Sequence, residues 1–162
     1  MYLEYRGPQY SGWCSYGGRV NPGRHYGVFA KLADVRNQEN WGIKPLEARG
    51  FPEDSSYAAK GDNYMYICSD NSDNYDNACT REQAERWVKH GSNYIGEDKK
   101  FVSHPDWHSH SWVTSKELKE ALEDPNVQYE PKEDPGYAAL LAQMEKYEEL
   151  GFETRVVFWF DN

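Results

Sequence analysis

The segment Arg155-Val156-Val157-Phe158-Trp159-Phe160 limits the fold more than any other. Side chains along a strand alternate between two faces, and here the run is apolar on both. Such a strand needs cover on each side, so it belongs at the centre of a sheet. Two further segments read as its partners in kind. Tyr64-Met65-Tyr66-Ile67-Cys68 has the look of a short buried strand, and Trp107 to Val113 looks extended.

The helices announce themselves by their ends. Thr80 with Gln83, and Thr114 with Glu117, are capping boxes. The first opens a helix that runs to about His90, where Gly91 closes it. The second opens a helix whose buried face is Leu118, Ala121 and Leu122, with Pro125 beyond its end. Asp134-Pro135 places a proline at a first helical position. Tyr137, Leu140, Leu141, Met144 and Tyr147 then lie on one face, and Gly151 ends the helix. Between Arg24 and Arg36, the spacing of Phe29, Leu32 and Ala33 predicts another helix of about three turns.

Glycine and proline mark what lies between. The first 23 residues read as a turn-rich entry with at most one short strand. Residues 38–62 read as a loop excursion, Ser69 to Asn77 as a surface loop and 92–106 as irregular. At 162 residues the chain is sized for one domain. The expected architecture is α+β: a small central sheet with three or four helices.

Composition narrows the function. Only 38% of residues are hydrophobic, so the aromatic 15% must fill much of the core. Tyr and Trp also bring polar tips that suit ligand pockets. The formal charge is −9, and the densest basic run is the pair Lys99-Lys100. A DNA or RNA polymer partner is thereby disfavoured, because phosphate backbones need clustered cations. A small phosphorylated ligand needs only a few local ones. Cys14, Cys68 and Cys79 form no C-x-x-C pair. An odd count without a secretory signal points to reduced thiols in a cytoplasm, and a zinc site of cysteines alone is not expected. No apolar run approaches the roughly 18 residues of a membrane span.

Two clusters carry polar chemistry. In Trp107-His108-Ser109-His110-Ser111-Trp112-Val113-Thr114, a regular strand would turn His108 and His110 to one face. One reading makes that pair half of a metal site, with His104, Asp106, Asp34 or a distant carboxylate as candidates for the rest. The competing reading is hydrogen bonding within a polar pocket or to backbone. The second cluster is Arg24, His25 and Tyr26, leading to Arg36 and Asn37. Arg36 either serves the helix C-terminal dipole or offers a planar fork to a phosphate. Asn37 has the paired donor and acceptor that match a base edge. Tyr10, Trp13, Tyr16, Trp41, Tyr57 and Trp107 sit in or beside loops, either as stacking platforms for bases or as core filling. No nucleophile elbow, P-loop or Rossmann fingerprint occurs.

Four blocks carry a resemblance. They are Arg24-x-Tyr26-x-x-Phe29-Ala30-x-Leu32-Ala33-Asp34-Val35-Arg36-Asn37, then Gly50-Phe51-Pro52, then His108 through Leu118, then Arg155 through Asn162. In order and spelling they resemble a large family of small bacteriophage proteins. The resemblance extends to viral sponges, which bind the cyclic oligonucleotide alarm signals of CBASS-type bacterial immunity without cutting them, usually as oligomers. Residues 53–103 carry no family signal and are a candidate insertion.

The resemblance implies a non-catalytic phage protein that sequesters cyclic di- or trinucleotides as a homo-oligomer in the host cytoplasm, with no cofactor or resident metal. The ligand-binding candidates, drawn from this chain's own residues, are Arg24, His25, Tyr26, Arg36, Asn37, Trp41, Trp107, His108, His110, Ser111 and Thr114. Two alternatives stand beside it. One is a metal-dependent phosphodiesterase built on His108 and His110. The other is an acidic inhibitor of a host protein.

Overall fold

The computed structural model describes residues 1–15, 17–68, 77–95 and 97–161. The surface loop expected after Ser69 lies largely outside them, as does Tyr16.

The C-terminal run is strand β8 (Glu153–Asp161), and it is central as its pattern requires. Strand β1 (Tyr2–Arg6) flanks it on one side and β7 (Trp107–Val113) on the other, both antiparallel. Strand β2 (Cys14–Ser15) extends the sheet beyond β1, giving the order β2-β1-β8-β7. The entry segment therefore holds two strands, where its glycines and prolines suggest at most one.

Alternation along β8 sorts the layers. Val156, Phe158 and Phe160 face a core shared with Leu3 of β1 and Val113 of β7. Helices α1 (Tyr26–Ala33), α4 (Ser115–Glu123) and α5 (Pro135–Glu149) cover that face. Leu118, Ala121, Tyr137, Leu140 and Met144 are buried in it, as their spacing predicts. The Thr114–Glu117 capping box forms, and so does the Thr80–Gln83 box on α3 (Arg81–Lys89). Helix α1 is shorter than the pattern from Arg24 to Arg36. His25 is its N-cap, and Asp34 ends it in the left-handed conformation at φ 58°. Its Gly27 admits the Val127 carbonyl, which would lie 2.4 Å from any added Cβ.

Residues 38–62 contain order that their turn residues conceal: a 3₁₀ turn at Glu39–Trp41 and helix α2 (Tyr57–Asn63). From α2 the chain enters a second sheet. Its strands are β3 (Tyr64–Cys68), β4 (Ala78–Thr80), β5 (Tyr94–Ile95) and β6 (Phe101–Ser103), in the order β4-β3-β6-β5. Two of these strands lie in the stretch expected to be irregular. Met65, Ile67, Cys79, Ala84 and Val102 give this sheet its own small core. The fold is α+β as expected, but with five α-helices among the described residues and two sheets in place of one.

The other face of the first sheet is where the second half of the molecule attaches. Glu4, fully buried there, accepts from Arg155 Nε at 2.8 Å and from the Ser56 amide at 2.7 Å. Ser56 caps α2. At the far end of that helix, Asp62 accepts from the Tyr2 hydroxyl, and its carbonyl from Trp107 Nε1 at 2.9 Å. Helix α2 is thus pinned at both ends to β1 and at its far end also to β7.

A buried ion pair contributes little over an apolar replacement of both partners, but removing one partner strands a buried charge. Arg155→Leu should therefore destabilise the protein by about 3–5 kcal/mol. The double variant Glu4→Leu/Arg155→Leu should recover a large part of that loss. Urea unfolding of the wild type, both single variants and the double variant checks this. A double variant as unstable as the sum of the singles would contradict it.

Candidate functional site

Beyond α2, a cleft of about 1670 Å³ opens between β7 of the first sheet and β3, β5 and β6 of the second. Period-two alternation builds its wall. Met65 and Ile67 of β3 turn into the small core, which leaves Tyr64 and Tyr66 on the other face. Their rings, with Phe51 and Phe101, form a contiguous surface. The Phe51–Tyr64, Tyr64–Phe101 and Tyr66–Phe101 centroids lie 5.3, 6.3 and 5.6 Å apart. Tyr66 and Phe101 remain 47% and 38% exposed. Aromatic surface left in contact with water in a groove is characteristic of a binding site.

The opposite wall comes from the start of β7, where the regular alternation fails. His108 pairs with Phe160, but the next paired residue is Ser111, opposite Phe158. Two residues of β7 thus stand against one of β8, a β-bulge, with Ser109 left-handed at φ 52°. The bulge overturns the expectation that His108 and His110 share a face. The His108 ring lies 6.1 Å from Phe160 on the core-facing side. His110 lies 6.0 Å from Trp159 and 6.1 Å from Phe51 on the other. Both border the cleft. Among the described residues, no three His, Cys, Asp or Glu side chains gather into a metal-binding group.

His110 and His104 on this wall favour their neutral form. Burial pushes the His110 pKa down to about 4, and neighbouring His108 adds to the shift. Burial also lowers His104, against the pull of Asp106. The His104 ring stacks on Trp107 at 4.6 Å, so the cleft meets one aromatic platform beside another. Neutral imidazoles can donate at one nitrogen and accept at the other.

The remaining candidates take other places. His25 Nδ1 accepts from the Val28 amide, capping α1, and its ring packs edge-on against Tyr129. Asn37 donates to Asp34 Oδ1 and to the Ile43 carbonyl, fastening the loop after α1. Trp41 is half-buried against the main core. Ser111 is buried and accepts from the Arg49 amide, and Thr114 caps α4. Arg36, left-handed at φ 56°, lays its guanidinium over the Tyr26 ring at 5.1 Å. Arg24 is exposed. A run of rings links the two sequence clusters: Tyr26 on Phe29, Phe29 on Phe160, Phe160 on His108. Trp107, His108 and His110 thus border the cleft, whereas the α1 group lies at the other end of that run.

Sequence reasoning missed the cleft's main surface. Tyr64-x-Tyr66 in a strand was the available signal, but Phe51, Phe101 and Asn63 come from segments that read as loops. It also missed a ladder of arginines and tryptophans on the same side of the first sheet. Arg6 and Arg155 lie over Trp13 at 4.6 and 4.0 Å, and Arg49 lies over Trp112 at 4.4 Å. Each cation has its own carboxylate: Glu153 for Arg6, Glu4 and Asp54 for Arg155, Glu117 for Arg49. The Asp54 contact, at 2.9 Å from Arg155 Nη2, is an ion pair outside hydrogen-bonding angles. A cavity of about 670 Å³ beside the ladder is therefore already neutralised.

The shifted groups predict two separate pH windows. Folding lowers the pKa of His110 from 6.5 to about 4, so the neutral ring carries no charging penalty above 6.5, and the fold loses stability as pH drops from there towards 4 and the unfolded chain takes the proton first. Hydrogen bonding to Arg49 lowers Glu117 from 4.5 to about 2, so its share is present above 4.5 and falls towards 2. In thermal melts across pH, His110→Phe should flatten the upper window and leave the lower decline intact. Parallel curves for the variant and the wild type between pH 6.5 and 4 would refute the assignment.

Comparison with family models, curated proteins and solved structures returns no match for this chain.

Proposed function

We propose that the protein sequesters a cyclic oligonucleotide, a di- or trinucleotide, in the aromatic cleft between its two sheets, and does not cleave it. The observation that carries this reading is the continuous ring surface from Phe51 to Phe101, facing a wall where burial favours the neutral rings of His104 and His110. Every base has a flat face, and stacking on an aromatic side chain contributes roughly 1–3 kcal/mol per base. The volume exceeds the ~300–1,000 Å³ of pockets that take drug-sized molecules, which suits a ligand with two or three bases. His108 and His110 turn to opposite sides of β7, so they do not form the side-by-side pair that a metal-dependent phosphodiesterase would use.

Affinity fit for competing with a receptor, in the nanomolar range, corresponds to about −12 kcal/mol. Two or three stacked bases fall short of that, and the rest must come from phosphate contacts and closure. The cleft lining sets Lys60 against Glu53, Glu97 and Asp98, so it offers phosphates little. Arg36 keeps its guanidinium on Tyr26, with no carboxylate partner among the described residues, and Arg24 is exposed. In this reading a second copy closes the open side and brings those arginines to the phosphates. The protein then works as a homo-oligomer, as the resemblance to phage sponges of the host cytoplasm implies.

Mixing the purified protein with a panel of cyclic di- and trinucleotides tests the reading. Free ligand should be depleted and should reappear intact after heat denaturation. Arg36→Asn, which tolerates the left-handed backbone, should bind at least tenfold more weakly with an unchanged melting temperature. Cleaved product on release would make the protein an enzyme. No depletion across the panel would remove the ligand class and bring forward an acidic inhibitor of a host protein.

A further inference from the structure

Two polar atoms at the cleft have no hydrogen-bond partner among the described residues. Asn63, the last residue of α2, is 1% exposed, and its carbonyl accepts from the His104 amide. Its Nδ2 is buried and unpaired among the described residues. His110 Nε2 is in the same condition. Both residues line the cleft, as does Phe51. The Phe51 ring centroid lies 6.1 Å from that of His110 and 5.3 Å from that of Tyr64, the neighbour of Asn63 in sequence. Buried polar groups are paired in the great majority of cases, so each exception asks for a reason.

We propose that Asn63 and His110 are the specificity-determining residues of the cleft, hydrogen-bonding to the rim of a planar heterocycle that lies against Phe51 and Tyr64. This rests on the reading of the cleft as a nucleobase site and adds which atoms read the base. The aromatic rings accept any flat face, so they hold the ligand without choosing it. Selection falls to the few polar atoms that meet its edge, because a ligand lacking their complement leaves them buried and unpaired. The Asn63 amide donates. The neutral His110 ring donates or accepts at Nε2 according to its tautomer. A purely hydrocarbon ring of the same size would leave both atoms unsatisfied and is discriminated against on that ground.

A group held for a ligand weakens the empty protein, and this separates the proposal from a structural role. Replacing an unpaired buried polar side chain by an apolar one of similar shape is neutral or stabilising. His110→Phe and Asn63→Leu should therefore have urea midpoints equal to or above wild type. Both should bind cyclic di-AMP, the probe ligand, at least tenfold more weakly by calorimetry. His110→Gln, which keeps a hydrogen-bonding end, should stay within about threefold of wild type in affinity.

A fall in midpoint for His110→Phe would mean that the ring nitrogen serves the fold, and would overturn the proposal. If Asn63→Leu fails to fold, His110→Phe carries the decision alone. Wild-type affinity in a stable His110→Phe would also overturn the proposal, while leaving the nucleotide reading in place. If wild-type protein binds neither cyclic di-AMP nor another member of the panel, the nucleotide reading fails. The midpoints then still decide whether these atoms are unpaired at the protein's own expense.

Discussion

One buried carboxylate holds the two halves of the molecule together. Glu4 lies in β1, at the start of the chain, and its ion-pair partner Arg155 lies in β8, near the end. Its second oxygen takes the Ser56 amide at the N-cap of α2. The first contact joins the strands of the main sheet on the face away from the helices. The second fixes the one helix that leads into the other sheet. Neither contact can be given up cheaply, because Glu4 is fully buried and a lost partner would leave its charge uncompensated. Buried ionic contacts of this kind can specify an arrangement more than they stabilise it, and the arrangement here is the position of α2.

The cleft follows from that position. With Ser56 held at one end of α2 and Asp62 at the other, Asn63 and Tyr64 are delivered opposite the start of β7. Phe51 packs against Tyr64, Trp159 and His110, and so forms the junction between the two sheets. The bulge at Ser109 then sets the two histidines. A regular strand would have turned both to one face. With one residue added, His110 moves to the Phe51 side and His108 stays with Phe160 on the side of the helical core. The same face of the main sheet carries the arginine–tryptophan ladder, where each guanidinium is stacked and also paired with an acid. Those arginines thus serve the fold, although arginines beside aromatic rings would also suit a phosphate site.

The legible parts of the fold were those with local signals. The apolar run of β8, the two capping boxes, Pro135 and Gly151 each act within a few residues, and each produced the element it predicts. The second sheet was largely illegible because β5 and β6 are two and three residues long, too short for any period to show. Helix α2 was hidden because Gly61 sits within it and its anchor, Glu4, is some fifty residues away in sequence. The site was half legible. Trp107, His108 and His110 stood out as a cluster, but the bulge between the histidines depends on pairing with β8. The aromatic wall from Phe51, Tyr64, Tyr66 and Phe101 is assembled from three separate segments, and only tertiary structure brings them together.

The central claim is that the cleft between the sheets is where the ligand sits, and aromatic NMR tests it most directly. With the Tyr, Phe and His rings ¹³C-labelled, the protein is titrated with whichever cyclic dinucleotide it depletes, or with cyclic di-AMP if none is depleted. The account predicts that Tyr64, Tyr66, Phe101 and His110 shift together, at one stoichiometry, while Tyr129 and Tyr137 in the helical layer stay unmoved. Unchanged cleft rings in a protein that is saturated with ligand, or no shift anywhere at millimolar concentrations, would contradict it.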